Sequence, residues 1–166
     1  MQGAEPLRGA AAKSRGCCTA VESCPPALRI ARKVTSMPVE FLGIAATNDG
    51  SETTPRSGAA FDKEYTLRLA RAHEDHDWDR VLFAYGSGSP DPAPAAAYIA
   101  SRLDRLQILL AHRPNVSYPT FAAKTFATLD QISEGRLTVH FITGGNDHEQ
   151  GREGDTLTKD ERYART

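Results

Sequence analysis

The sequence predicts an α/β fold, part of a (β/α)8 TIM barrel with about four parallel strands and flanking helices. Three observations carry that expectation. Short apolar runs alternate with longer amphipathic ones, which is the signature of βα units in a parallel sheet. Long polar loops follow the strand candidates, whereas the returns from helix to strand are tight, and that asymmetry marks one functional face. The chain offers strands and helices for about half of a closed barrel, which takes around 250 residues when complete.

Residues 1–36 are rich in Ala, Arg, Gly, Ser and Pro and hold no sustained period of 2 or 3.6, so they read as a disordered extension. Met37 opens the ordered part, and residues 37–166 form the half-barrel. Its first strand is expected at Val39 to Ala46, short and nearly continuously apolar like a strand covered on both faces. A long loop, Thr47 to Phe61, leads to a helix at Asp62 to Asp75. The loop begins Ala45-Ala46-Thr47-Asn48-Asp49-Gly50, which is no dinucleotide fingerprint, so a small doubly wound sheet is the weaker alternative.

The return Asp77-Trp78-Asp79 feeds a second strand, Arg80 to Tyr85, followed by a loop at Gly86 to Asp91 and a helix at Pro92 to Leu103. Asp104-Arg105 then gives a third strand, Leu106 to Ala111, a loop at His112 to Pro119 and a helix at Thr120 to Ser133. In that helix Ala122, Phe126, Leu129 and Ile132 recur at steps of four, three and three and share one face. Gly135 supplies a left-handed stop before the fourth strand, Arg136 to Ile142, and a polar loop runs from Thr143 to Thr158.

A net charge of −1 and a pI near 6.5 leave no electrostatic footprint for nucleic acid or an anionic membrane. A small neutral or anionic ligand fits better. No run approaches the roughly 18 to 20 apolar residues that cross a bilayer. Cys17, Cys18 and Cys24 all lie in the extension, an odd number without zinc-site or disulfide spacing, which fits a reducing, cytoplasmic setting.

Candidate site residues follow the strands. Tyr85-Gly86-Ser87-Gly88-Ser89-Pro90-Asp91 has small residues that let a planar ligand approach the backbone, with hydroxyls at Ser87 and Ser89. The plainer alternative is a turn ended by an N-capping Asp91. Arg113 could clamp an anionic group through its planar pair of donors, or simply pair with a helix carboxylate. His112 could face the barrel mouth. Alternation places His140 with Thr138 and Ile142 on one face of the sheet, and Thr143 ends that strand with a free hydroxyl; a satisfied polar layer is the alternative for both. The histidines lack metal-ligand spacing, so no metal is expected, and no GxSxG elbow is present.

From about Met37 to Thr166 the chain resembles the luciferase-like flavin-dependent monooxygenases, and within them the branch that includes alkanesulfonate monooxygenase. The stretches that carry the likeness are Ala72-His73-Glu74-Asp75 with Asp79-Arg80-Val81-Leu82, Tyr85-Gly86-Ser87 through Ser89-Pro90-Asp91, and Leu110-Ala111-His112-Arg113-Pro114. More specific are Ala122-Ala123-Lys124 through Ala127-Thr128-Leu129-Asp130-Gln131, Gly135-Arg136, Ile142-Thr143-Gly144-Gly145 and Asp160-Glu161-Arg162-Tyr163. The resemblance implies the N-terminal half of a barrel that uses reduced flavin mononucleotide (FMN, as FMNH2), supplied by a separate flavin reductase, to oxygenate a small organic substrate with dioxygen.

It further implies that Tyr85, Ser87, His140 and Thr143 line the flavin ring and that Tyr163 contacts the flavin from the start of the fourth helix. Ser89 stands where sulfonate-using relatives carry a cysteine, and Lys159 where many relatives carry a histidine. No catalytic residue is implied. The alternative is an inactive flavin-binding or assembly fragment that forms a homo-oligomer through open barrel edges.

Overall fold

The structure, a computed structural model, describes residues 39–51 and 53–166. The extension expected over residues 1–36, with its cysteines, lies outside the described residues. The elements run β1 (Leu42–Ile44), α1 (Lys63–Asp75), β2 (Arg80–Phe83), α2 (Pro92–Ala100), β3 (Gln107–His112), a 3-10 turn (Pro114–Val116), α3 (Pro119–Ile132), β4 (Leu137–Phe141), α4 (Asp147–Arg152) and α5 (Lys159–Arg165). The strands form one parallel sheet in the order β1-β2-β3-β4. This is the expected partial barrel: sequential parallel strands with α1, α2 and α3 packed on the sheet.

Local chemistry explains the boundaries. Asp62 caps α1 by accepting from the Tyr65 N–H, and Asp91 caps α2 by accepting from the Ala93 N–H, with Pro92 at the first helical position. Ser133 caps the C-terminus of α3, and positive φ at Glu134 (53°) and Gly135 (81°) turns the chain into β4. At the tight return before β3, the Glu74 carboxylate accepts from the Leu106 and Arg105 N–H groups at 2.8 and 2.9 Å. Desolvation raises its pKa, but these backbone donors outweigh that and hold the carboxyl below its ordinary value.

Strand register sorts the side chains. Val81, Ile108 and Leu137 are paired neighbours on the helix-covered face, as are Phe83, Leu110 and Val139 one pleat further on. Ala70 of α1, Ile99 of α2 and Leu129 of α3 close over them, so the core lies between one sheet face and three helices. Each such side chain contributes about 1.5–3 kcal/mol by leaving water. The stripe on α3 is only partly covered: Ala122 and Leu129 are buried and Phe126 packs against the core, but Ile132 is 40% exposed.

The other face differs from expectation. The strand candidates read as covered on both sides, yet Leu42, Ile44, Thr138 and His140, on the inner face by register, are exposed. In a barrel those positions are covered by side chains from further strands, and among the described residues none are there to do so. For the same reason β1 is shorter than expected: as an edge it has one neighbour, β2, and pairs through three residues.

Candidate functional site

The C-terminal ends of β2, β3 and β4 are tied together by one arginine. Arg113 directly follows β3, and the residue is 3% exposed. Its Nη2 lies 2.9 Å from Glu149 Oε2 of α4, its Nη1 lies 3.4 Å from Glu153 Oε2, and Nη2 also donates to the Tyr85 carbonyl at 3.4 Å. The guanidinium carbon sits 4.8 Å from the centre of the Tyr85 ring, a cation–π contact. The second oxygen of Glu149 accepts from the Ser87 N–H at 2.8 Å. Three strand-end loops, distant in sequence, thus meet on one ion-pair cluster.

The electrostatics follow from those contacts. Glu149 is held below the ordinary carboxylate range, first by the Ser87 N–H and then, against some desolvation, by Arg113 and Arg152. Burial, the charge of Glu153 and a hydrogen bond to it push the Tyr85 phenol up to about 12. Tyr85 therefore stays protonated across the physiological range.

The expected site residues are distributed unevenly around this cluster. Tyr85, Ser87 and Arg113 come together. Ser89 lies in the same turn, where its N–H donates to the Gly86 carbonyl at 3.0 Å. The Ser87 hydroxyl oxygen is buried and has no hydrogen-bond partner among the described residues. Thr143 is half-buried immediately beyond β4, His140 is exposed on the inner face, and Tyr163 is 62% exposed on α5. Lys159 opens α5, behind a capping box between Thr158 and Glu161.

Three expectations need correction. Arg113 does not present a free anion clamp: its guanidinium is buried and already committed to Glu149 and Glu153. Tyr85 does not share a face with His140; its ring turns to the helix side, where it lines a groove of about 750 Å³ between α2 and α3 together with Phe121 and Phe126. His112 also belongs to that outer groove, edge-on to Phe126 at 4.8 Å, rather than to the barrel mouth. Burial lowers its pKa, against a smaller opposing effect of Asp91. This groove thus lies on the helix side of the sheet, and Asp91, Val116, Ser117 and Tyr118 of the strand-end loops form part of its wall.

Sequence reasoning missed α4 and with it Glu149, Glu153 and the fully buried Gln150. The available signal was Asn146 followed three residues later by Glu149, an N-cap pattern, and the Asn146 side chain does accept from the Glu149 N–H. Arg162 was also missed as a structural residue. It is buried and paired with Asp147, joining α5 to α4. Among the described residues no group of three or more His, Cys, Asp or Glu side chains is placed to hold a metal ion, and no helix is long and apolar enough to cross a membrane. His73 and His76 each direct Nδ1 to a backbone carbonyl one turn earlier in α1.

Solved structures with this arrangement include several monooxygenases. The EDTA monooxygenase EmoA from Chelativorans sp. BNC1 superposes with a TM-score of 0.65 at 22% identity, covering 76% of this chain and 34% of its own. The monooxygenase RslO1 from Streptomyces bottropensis gives 0.59 at 28% identity, covering 75% and 39%. The oxygenating constituent of 3,6-diketocamphane monooxygenase from Pseudomonas putida, solved in complex with FMN, gives 0.62 at 18% identity, covering 76% and 36%. The chain therefore spans between a third and two fifths of the length of these proteins. Residues 40–166 match the luciferase-like monooxygenase family, and the chain belongs to that family.

Proposed function

We propose that this chain contributes the flavin-facing loops of a cytoplasmic monooxygenase that takes reduced FMN from a separate flavin reductase and uses dioxygen to oxygenate a small organic substrate of the alkanesulfonate type. Reduced flavin, when bound, supplies the electrons that activate dioxygen. The chain's own part is to hold the ring, orient the substrate and keep water out.

The observation that carries the reading is the orphaned Ser87 hydroxyl at a strand-end mouth in a chain of this family. A buried hydroxyl without a partner is costly, and a small shift of the Tyr85–Ser89 turn would open it to a polar ring edge of an isoalloxazine that satisfies it. The surroundings fit a planar guest: an added Cβ at Gly88 or Gly145 would meet nothing within 4 Å. In this reading Ser87 and Thr143 offer hydroxyls to the ring, His140 lines it from the inner face, Tyr163 closes over it and Ser89 faces the substrate. Tyr85 acts through Arg113 and its carbonyl rather than through its ring. Lys159 in place of histidine brings a fixed positive charge near the cofactor, which favours a reduced, anionic flavin.

Titration of oxidised FMN into the chain, followed by flavin fluorescence, tests the proposal. Saturable quenching that weakens about fivefold or more in Ser87→Ala is expected, since one such hydrogen bond contributes about 1 kcal/mol. Absence of binding both by the chain alone and by the chain extended to a closed barrel refutes it.

A second reading rests on the bare inner face and the β1 edge, where Val39, Phe41 and Ile44 are 79%, 60% and 64% exposed. An inactive assembly fragment would cover these by forming a homo-oligomer. Sedimentation separates the two: a stable flavin-free dimer favours the second reading, and an FMN-binding monomer the first.

A further inference from the structure

We propose that Glu149 is a positioning residue for the flavin site, because one carboxylate spans the Ser87 N–H and the Arg113 guanidinium and so fixes the Tyr85–Ser89 turn against the ends of β3 and β4. The proposal rests on the flavin reading given above. Its geometry does not: Glu149 Oε1 accepts from Ser87 N at 2.8 Å while Oε2 faces Arg113 Nη2 at 2.9 Å. Each oxygen has a different loop as its partner.

The arrangement is directional. Arg113 is held from below by the Tyr85 carbonyl and the Tyr85 ring, so it cannot follow Glu149 if the carboxylate leaves. Glu149 is the N3 residue of α4, where the Asn146 side chain caps its N–H and fixes its backbone. Gly86 lies close to the clamp: a Cβ there would stand at ordinary contact distance, 3.5 Å, from Glu149 Oε1 and 3.2 Å from Ser89 Oγ. The hydroxyl of the same residue is buried and without a partner among the described residues. A site that must hold its groups within a fraction of an ångström needs this kind of support behind the contacting residue.

Glutamine is the discriminating substitution. It can keep an oxygen for Ser87, but its amide group then opposes Arg113, donor against donor, so one of the two contacts is lost. Two readouts are needed. Hydrogen exchange of the Ser87 amide reports the turn directly, and the FMN dissociation constant reports the site. In wild type the Ser87 amide is expected to be protected, with protection falling as acid protonates Glu149 below the ordinary carboxylate range. The groups facing Glu149 during that titration are Arg113, Arg152 and, across Arg113, Glu153.

In Glu149→Gln protection is expected to fall tenfold or more and FMN binding to weaken by a similar factor, while Glu149→Asp recovers part of both. Should Glu149→Gln fail to fold, the acid titration of the wild-type Ser87 amide decides alone. Unchanged Ser87 protection across that titration, or unchanged FMN affinity in the glutamine variant, overturns the proposal. Loss of protection in a chain that binds no FMN in any form leaves the clamp intact but sinks the flavin reading, so the two failures are distinguishable.

Discussion

Replacement of Gly144 by alanine should unfold this chain far more readily than the same change one residue later. Gly144 has φ +84°, and an added Cβ would overlap the side-chain amide of Gln150, which is 0% exposed. Left-handed backbone costs a non-glycine residue about 1–2 kcal/mol. Overpacking against a side chain that cannot move into solvent adds roughly 1–3 kcal/mol. Gly145 carries neither burden: its φ is not in the left-handed region, and a Cβ there meets nothing within 4 Å. A change there should stay within about 0.5 kcal/mol. Urea unfolding followed by far-ultraviolet circular dichroism is a suitable assay. With a slope of about 2 kcal/mol per molar, Gly144→Ala should lower the midpoint by roughly 1–2.5 M and Gly145→Ala hardly at all. Equal midpoints for the two variants would refute the placement of Gln150 beneath the Thr143–Gly145 turn.

Alkaline titration tests the Arg113 cluster from another side. The folded pKa of Tyr85, about 12, lies above its ordinary value of 10, so its contribution to stability is fully present below pH 10 and is lost as pH rises through 12. Phenolate absorbance should show one late-titrating tyrosine that is missing in Tyr85→Phe; a Tyr85→Phe curve that still contains the late step counts against the assignment. In the core, Ile99→Ala should cost about 2–5 kcal/mol, because Ile99 is 0% exposed, whereas Ile132→Ala on α3, 40% exposed, should cost less than about 1 kcal/mol. Denaturant midpoints check both, and a reversed order would overturn the account of which helix faces meet the sheet.

The sheet was legible because its signal is local. Each of the four apolar runs announces a strand by itself, and Asp62, Asp91 and Gly135 mark helix ends through chemistry confined to a few residues. α4 was not legible: Asp147–Arg152 contains no large apolar residue, so there is no stripe to detect, and its stability comes from a cap and from contacts to distant loops. The facing of Tyr85 was available from alternation, since it shares parity with Val81 and Phe83 on the helix-covered face, whereas the family resemblance grouped it with His140 of the opposite face. Arg113 offered two readings, and the choice depended on Glu149 and Glu153, 36 and 40 positions further along, which no spacing rule connects to it. Ser87 could be named as a polar group in a small-residue turn, but that its hydroxyl is shielded and unpartnered emerges only in three dimensions.

The neighbour order β1-β2-β3-β4 bears on how the chain acquires its shape during synthesis. Every strand docks on the one translated just before it, so none has to wait for a mate still inside the ribosome. Loop-closure costs stay small at each addition, and the helix-side apolar surface is covered about as fast as it emerges. The last strand laid down always presents an unfilled row of amide and carbonyl groups, which makes β4 the template on which a following strand would be added in register.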